Sequence, residues 1–223
     1  MSKAITDNSA QEYGLKRVID FTLAFFGLLI SLPVSLLIAI MIYIEDRGPV
    51  FYFQRRVGKD GNIFTAPKFR TMIANSDELY GMMQASENDP RITRSGRILR
   101  NTALDEIPQL WCILTGKMSF VGPRALATEE TETTINGKRF NSIMEIPGYS
   151  KRISVRPGLT GVAQIFAPRD IERKNKFRYD CIYINNMGLL FDLKLIILSL
   201  LITMTGRWEY RGNKLFKVQQ LID

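Results

Sequence analysis

The stretch FTLAFFGLLISLPVSLLIAIMIYI, Phe21 to Ile44, runs for 24 residues without a charge. A helix buried in a soluble domain needs only one apolar stripe, whereas this run is apolar all round and long enough for a hydrocarbon core of about 30 Å. It predicts a membrane-embedded helix. Upstream, Met1 to Asp20 is polar and mixed in charge, and no small-residue cleavage site follows the apolar run. A retained anchor is therefore expected instead of a cleavable leader. Pro33 removes one helical hydrogen bond near the middle of the run, and Ser31 and Ser35 stand beside it to bond the freed backbone. Two topologies are compatible with this: a spanning helix with a tolerated proline, or a hairpin that turns at the proline and returns. Lys16 and Arg17 precede the run, while Arg47, Arg55, Arg56 and Lys59 follow it. The positive-inside rule then assigns both ends to the cytoplasm and favours the hairpin. The expected organisation is one domain over 1–223, with a re-entrant membrane helix over 18–44 and a cytoplasmic part over 45–223.

The chain of 223 residues is 46% hydrophobic, enough for one domain with a core, and carries 30 Lys and Arg against 22 Asp and Glu, a net charge of +8. Such a balance suits lipid headgroups, nucleotide phosphates or nucleic acid, without choosing among them. There is no histidine, which excludes Ser-His-Asp and Cys-His catalysis and His-based zinc sites. Acid and base chemistry falls to carboxylates, Lys or Tyr. Cys112 and Cys181 lack CxxC spacing and read as reduced packing residues.

GPVFYFQRRV and NIFTAPKFRTM flank Gly58-Lys59-Asp60-Gly61, a hairpin signal. Beyond Ile73 the pattern is mostly helical. Leu189 to Thr205 is a second apolar stretch, interrupted by Asp192 and Lys194, that suits either the membrane interface or the core. The fold class expected is α+β, mainly helical with a small β-hairpin, seated on the membrane by the re-entrant helix and by interfacial amphipathic helices.

The densest polar constellation runs from Arg91 to Leu126. At its centre, Asp105-Glu106-Ile107-Pro108-Gln109-Leu110 reads as a helix start, with Asp105 close to the N-cap, Pro108 in the first turn, and Leu110, Ile113 and Leu114 on an apolar face. A helix start holds carboxylates ionised and attracts phosphate. An ionised Asp can attack phosphorus; equally, an Asp-Glu pair can simply cap a helix. Arg91, Arg94, Arg97 and Arg100, spaced three apart, read as phosphate ligands or as a charged helix face. Gly122-Pro123-Arg124 makes a turn suited to presenting a guanidinium and backbone amides to a phosphate. Lys68-Phe69-Arg70 and Arg156-Pro157-Gly158-Leu159-Thr160-Gly161 are likewise turns carrying a cation. None is a Walker loop or a dinucleotide fingerprint.

In this order, the apolar segment broken at proline, Lys68-Phe69-Arg70-Thr71-Met72, Leu104-Asp105-Glu106, Gly122-Pro123-Arg124 and Arg156-Pro157-Gly158-Leu159-Thr160-Gly161 resemble the monotopic phosphoglycosyl transferases. These are also called bacterial sugar transferases or polyprenyl-phosphate sugar-1-phosphate transferases. The resemblance spans roughly Lys16 to Tyr183, and Ala125 departs from it where the family often has a second proline. With about sixteen residues before the apolar segment, the chain resembles the family's minimal form. The resemblance implies that Asp105 is the nucleophile and that Glu106 helps bind Mg²⁺. It also implies that Arg124 and its loop, Gly122 and Pro123, contact phosphate; Lys68, Arg70, Arg100 and Arg156 are further phosphate candidates on their charge, with structural turn roles as the alternative for Lys68, Arg70 and Arg156.

The implied reaction transfers a sugar-1-phosphate from a UDP-sugar to polyprenyl (undecaprenyl) phosphate and releases UMP. It would be the first membrane step in making a bacterial glycoconjugate such as a polysaccharide, O-antigen, capsule or glycoprotein, at the cytoplasmic face of the inner membrane. Expected partners are the UDP-sugar, the polyprenyl phosphate and the phospholipid membrane, without nucleic acid. The sugar, the carrier length, the pathway and the oligomeric state stay open, with a homo-oligomer allowed. Two rivals remain: a lipid glycosyltransferase that releases UDP, and a non-catalytic anchored module that binds polyanions. Paired acids within a basic region argue against the latter.

Overall fold

The computed structural model describes residues 12–76, 89–128, 132–133, 139–140, 143–167, 173–206 and 208. The apolar run forms helix α1, Lys16–Glu45, of 30 residues, and its backbone stays helical through Pro33. Ser31 Oγ donates to the Leu28 carbonyl at 3.2 Å, one residue before the Leu29 carbonyl whose helical donor Pro33 removes. The helix is long and apolar enough to cross a membrane.

Helix α1 buries residues in both its halves, and Leu28 near its middle also packs on the core. Lys16, Asp20 and Ala24 are buried in its first half, and Ile38 and Ile42 in its second. Between them Phe26, Ile30, Leu32, Leu36 and Leu37 are exposed. Ala24 packs with Phe64, Leu110, Cys112 and Ile113, while Ile38 and Ile42 pack with Phe69 and Leu99. Ile107 packs against both groups, so both ends of α1 rest on one body. Ile113 is fully buried, and its truncation to Ala would cost about 2–5 kcal/mol.

The expected hairpin is present. Strands β1 (Phe51–Val57) and β2 (Ile63–Phe69) pair antiparallel from Phe51↔Phe69 to Val57↔Ile63. The chain then enters helix α2, Arg94–Thr102, whose first amides are satisfied by α1: the Glu45 carboxylate accepts from Arg94 N at 2.8 Å and Ser95 N at 3.0 Å. A tight 3-10 turn, Leu104–Gln109, leads into the short helix α3, Leu110–Leu114. Strand β3 (Ser119–Val121) follows, then β4 (Leu126–Ala127), which pairs with β1 to give the sheet order β2-β1-β4. A small antiparallel ribbon joins β5 (Glu132–Thr133) and β6 (Arg139–Phe140). After helix α4, Tyr149–Ile153, strand β7 (Gly158–Thr160) lies parallel to β3.

At that crossing the two segments touch backbone to backbone. A Cβ on Gly158 would fall 2.0 Å from Gly122 N, and one on Gly161 would fall 2.2 Å from Gly122 O. Only glycine permits so close an approach.

Helices α5 (Val162–Phe166), α6 (Arg173–Asn186) and α7 (Leu189–Thr205) close the domain. The second apolar stretch serves two surroundings at once. Phe191 and Leu195 of α7 pack with Val121, Tyr183 and Ile184, while Leu190, Leu193, Ile197, Leu200, Leu201 and Met204 form an exposed stripe at helical spacing. Cys112 is buried and Cys181 half-buried, both as free thiols, consistent with packing roles.

Candidate active site

Asp105 and Glu106 sit in the first turn of Leu104–Gln109, and Asp105 is buried at 8% exposure. Asp105 was expected near an N-cap, but the cap position belongs to Ala103, whose φ of 54° places it in the left-handed region. That residue stops α2 and starts the tighter turn at once, leaving no room for a side-chain cap. Burial, and then the adjacent Glu106 charge, push Asp105 up to about 7, against the opposing pull of Lys68, Arg100 and Arg124.

Lys68 reaches the dyad because β2 runs beside the turn. It is half-buried, opposite Tyr52 in the hairpin register, with its ammonium 5.2 Å from the Tyr52 ring centre. Burial and the neighbouring Arg56 lower its pKa, while Asp105 and Glu106 work the other way. Arg56 contributes to this environment, although the sequence reading counted it only as a flanking cation. Its signal was period two: Tyr52, Gln54 and Arg56 share the strand face that Lys68 meets.

Arg124 brings its guanidinium to the same place. Its Nη2 lies 3.5 Å from Glu106 Oε1, and the side chain is 46% exposed. The backbone of this loop is not offered to a ligand. Gly122 N donates to Thr160 O at 2.9 Å, Pro123 has no N–H, and the Arg124 N–H donates to the Asp180 carboxylate. The expectation that the loop presents backbone amides therefore fails, since the fold uses the amides that it has. Ala125, where a proline is usual, is buried, and its carbonyl accepts from Arg56 Nη1 at 2.8 Å.

Of the four arginines spaced three apart, Arg100 bears on Asp105, whereas Arg91 makes a buried ion pair with Asp89 at 2.7 Å. Arg70 and Arg156 are engaged away from the dyad. Arg70 donates to the Asp46 carbonyl at 2.5 Å and lies 3.3 Å from the Asp46 carboxylate. Arg156 directs its backbone N–H, Nε and Nη2 at Glu12, the closest contact being 2.7 Å.

A buried carboxylate beside a second one, with the charges of Lys68, Arg100 and Arg124 acting on it, can serve chemically as a nucleophile, a base or a metal ligand. A family match agrees with this arrangement: the family described as "Bacterial sugar transferase" matches residues 11–206. The chain belongs to the bacterial sugar transferase family. The resemblance read from the motifs is thereby borne out, and this bacterial sugar transferase is an enzyme of the phosphoglycosyl transferase kind. It is 37% identical over 187 residues to the exopolysaccharide production protein PSS of Rhizobium leguminosarum bv. phaseoli, covering 82% of this chain and 91% of that protein. It is 39% identical over 191 residues to the UDP-glucose:undecaprenyl-phosphate glucose-1-phosphate transferase of Escherichia coli, covering 83% of this chain and 39% of that protein. A third relative, the UDP-N-acetylgalactosamine-undecaprenyl-phosphate N-acetylgalactosaminephosphotransferase of Aeromonas hydrophila, is 35% identical over 195 residues, covering 86% of this chain and 44% of that protein. The bacterial sugar transferase described here thus spans less than half the length of the latter two.

Proposed function

We propose that this bacterial sugar transferase moves a sugar-1-phosphate from a UDP-sugar to undecaprenyl phosphate in two displacements at phosphorus, as a first step of glycoconjugate assembly. A carboxylate oxygen of Asp105 attacks the sugar-proximal phosphorus, the bond to the bridging oxygen breaks, and UMP leaves with that electron pair. A phosphate oxygen of the polyprenyl phosphate then attacks the same phosphorus, the acyl phosphate bond breaks, and the Asp105 carboxylate is regenerated. The relatives' names supply the donor and acceptor classes.

The observation that carries the reading is the environment of Asp105. A desolvated carboxylate with a pKa near 7 is a stronger nucleophile than an exposed one, yet is still substantially ionised at neutral pH. Lys68, Arg100 and Arg124 would neutralise the approaching diphosphate.

The dyad also suits a magnesium ion. No group of three or more His, Cys, Asp or Glu able to hold a metal occurs among the described residues. Magnesium needs no such cage, because it binds through one or two carboxylates and takes its other ligands from water and substrate phosphates. Glu106 would hold it, and the charge crowding that lifts Asp105 would be relieved. Such an ion supplies charge neutralisation on the diphosphate.

The docking of both ends of α1 supports a re-entrant helix on the cytoplasmic face. Arg17 donates to the Ile113 and Leu114 carbonyls, both at 2.6 Å, and Glu45 at the other end bonds α2. A helix tied at both ends to one body is hard to reconcile with ends on opposite sides of a bilayer.

The test is to incubate the detergent-solubilised protein with magnesium, undecaprenyl phosphate and a panel of UDP-sugars. UMP and a lipid diphosphate sugar are expected; UDP would establish the glycosyltransferase rival instead. Mass spectrometry of the intact protein should detect the phosphosugar adduct, and its persistence in Asp105→Asn would refute the nucleophile assignment.

A further inference from the structure

Arg124 carries its proposed task on a side chain that is 46% exposed, with Glu106 3.5 Å from its tip, so its aim depends on how its backbone is held. That backbone is held from both sides by one buried ion pair. Arg152 of α4 and Asp180 of α6 are 6% and 2% exposed, and Arg152 Nε lies 2.6 Å from Asp180 Oδ2. Each partner also reaches the same residue: Arg152 Nη2 donates to the Arg124 carbonyl, and Asp180 accepts from the Arg124 N–H. The guanidinium of Arg152 is itself seated over the Phe177 ring, 4.6 Å from its centre.

We infer that Arg152 and Asp180 are positioning residues that clamp the Arg124 peptide and thereby aim its guanidinium at the transferring phosphate. The inference rests on the proposed role of Arg124 as a phosphate ligand. Stability alone explains the pair poorly, because a buried ion pair often gains nothing over apolar residues of similar volume. Gripping both polar groups of one peptide requires an acceptor and a donor set side by side. A carboxylate and a planar guanidinium fork supply them in fixed geometry. Lysine in place of Arg152 keeps the charge that Asp180 needs, but a single ammonium cannot reproduce the fork.

Arg152→Lys and Asp180→Asn should each be made with Arg124 present and in an Arg124→Ala background, in the full-length solubilised protein. With Arg124 present, kcat and the single-turnover rate of adduct formation should fall about 10- to 100-fold with little change in KM for the UDP-sugar, as expected of a sub-ångström to ångström misplacement. In the Arg124→Ala background the same substitutions should change the rate less than about twofold, because they act through a group no longer there. Equal losses in both backgrounds, or no loss with Arg124 present, would overturn the clamp. Amide hydrogen exchange of a peptide spanning Gly122 to Leu126 reads the clamp independently of catalysis. Exchange there should rise in Arg152→Lys, and wild-type protection would also overturn the inference. Raised exchange with undiminished turnover, together with full activity of Arg124→Ala, would instead remove Arg124 from the phosphate site. Should Asp180→Asn fail to fold, Arg152→Lys, with its cation retained, decides the question.

Discussion

Lys16 Nζ lies 2.5 Å from Oδ2 of Asp192, and both side chains are almost wholly withdrawn from solvent. The pair ties the start of α1 to the start of α7, and Lys16 also donates to the Val121 carbonyl at 3.0 Å, one residue before the Arg124 loop. Removing one partner strands the other as an unpaired buried charge, at about 3–5 kcal/mol. Lys16→Met should therefore melt far below the wild type in detergent, and adding Asp192→Leu should recover much of the loss. A single variant as stable as the parent would mean that the pair does not hold the two helices.

The pH profile of adduct formation should reflect the charges around Asp105. The nucleophile must be ionised, so the single-turnover rate should rise with pH, with its midpoint at or below about 7 because magnesium on Glu106 would offset the neighbouring charge. Lys68 pulls the Asp105 pKa down and Glu106 pushes it up. Read without magnesium, by infrared titration of the Asp105 carboxyl, the midpoint should move to higher pH in Lys68→Met and to lower pH in Glu106→Gln. Shifts in the same direction for both variants would contradict this electrostatic account.

Glu12 and Arg156 make a separate, pH-dependent contribution. Burial works to raise the Glu12 pKa, but the hydrogen bonds and charge of Arg156 outweigh it and hold the carboxyl below its usual range. A group depressed in the folded state stabilises fully above its unfolded pKa, and that stability fades as pH falls through the folded value. Glu12→Gln should thus cost about 2 kcal/mol at pH 7, the scale of a hydrogen bond to a charged group. In denaturant melts the difference from wild type should shrink below about pH 4; a pH-independent gap would show that packing, not charge, is responsible.

Topology can be read from cysteine accessibility. With Cys112 and Cys181 replaced, Ser2→Cys and Arg47→Cys should both resist an impermeant thiol reagent in intact cells and react once the cells are opened. Labelling at position 2 alone in intact cells would establish a spanning helix. Each half of the apolar run measures only about 17 Å, half the depth of the hydrocarbon core. Pro33→Leu should favour a straighter helix and shift part of the population to the spanning form.

Helix α1 and the hairpin are legible in the sequence because their signals are local: an uninterrupted apolar run, and an Asp-Gly pair between β-prone segments. The dyad is legible as chemistry but not as backbone, since nothing in Asp105-Glu106 reveals that Ala103 turns left-handed just before it. The ion pairs are hidden for a plainer reason. Lys16–Asp192, Glu12–Arg156 and Arg152–Asp180 join residues 176, 144 and 28 apart, and no periodicity marks which carboxylate meets which cation. Arg156 looked free for phosphate because its acid stands at the other end of the chain.

The exposed stripe of α7 begins beside the Lys16–Asp192 pair and so shares its root with the exposed flank of α1. Two outward-facing oily surfaces rooted at one point would keep the Asp105 body pressed against a lipid sheet. The long-chain acceptor proposed above would meet the enzyme by drifting sideways in that sheet, and its availability would be a mole fraction of the surface, not a molarity. Turnover should then obey surface dilution: adding inert detergent or phospholipid at constant enzyme and acceptor slows the second displacement, although nothing in the aqueous phase has changed.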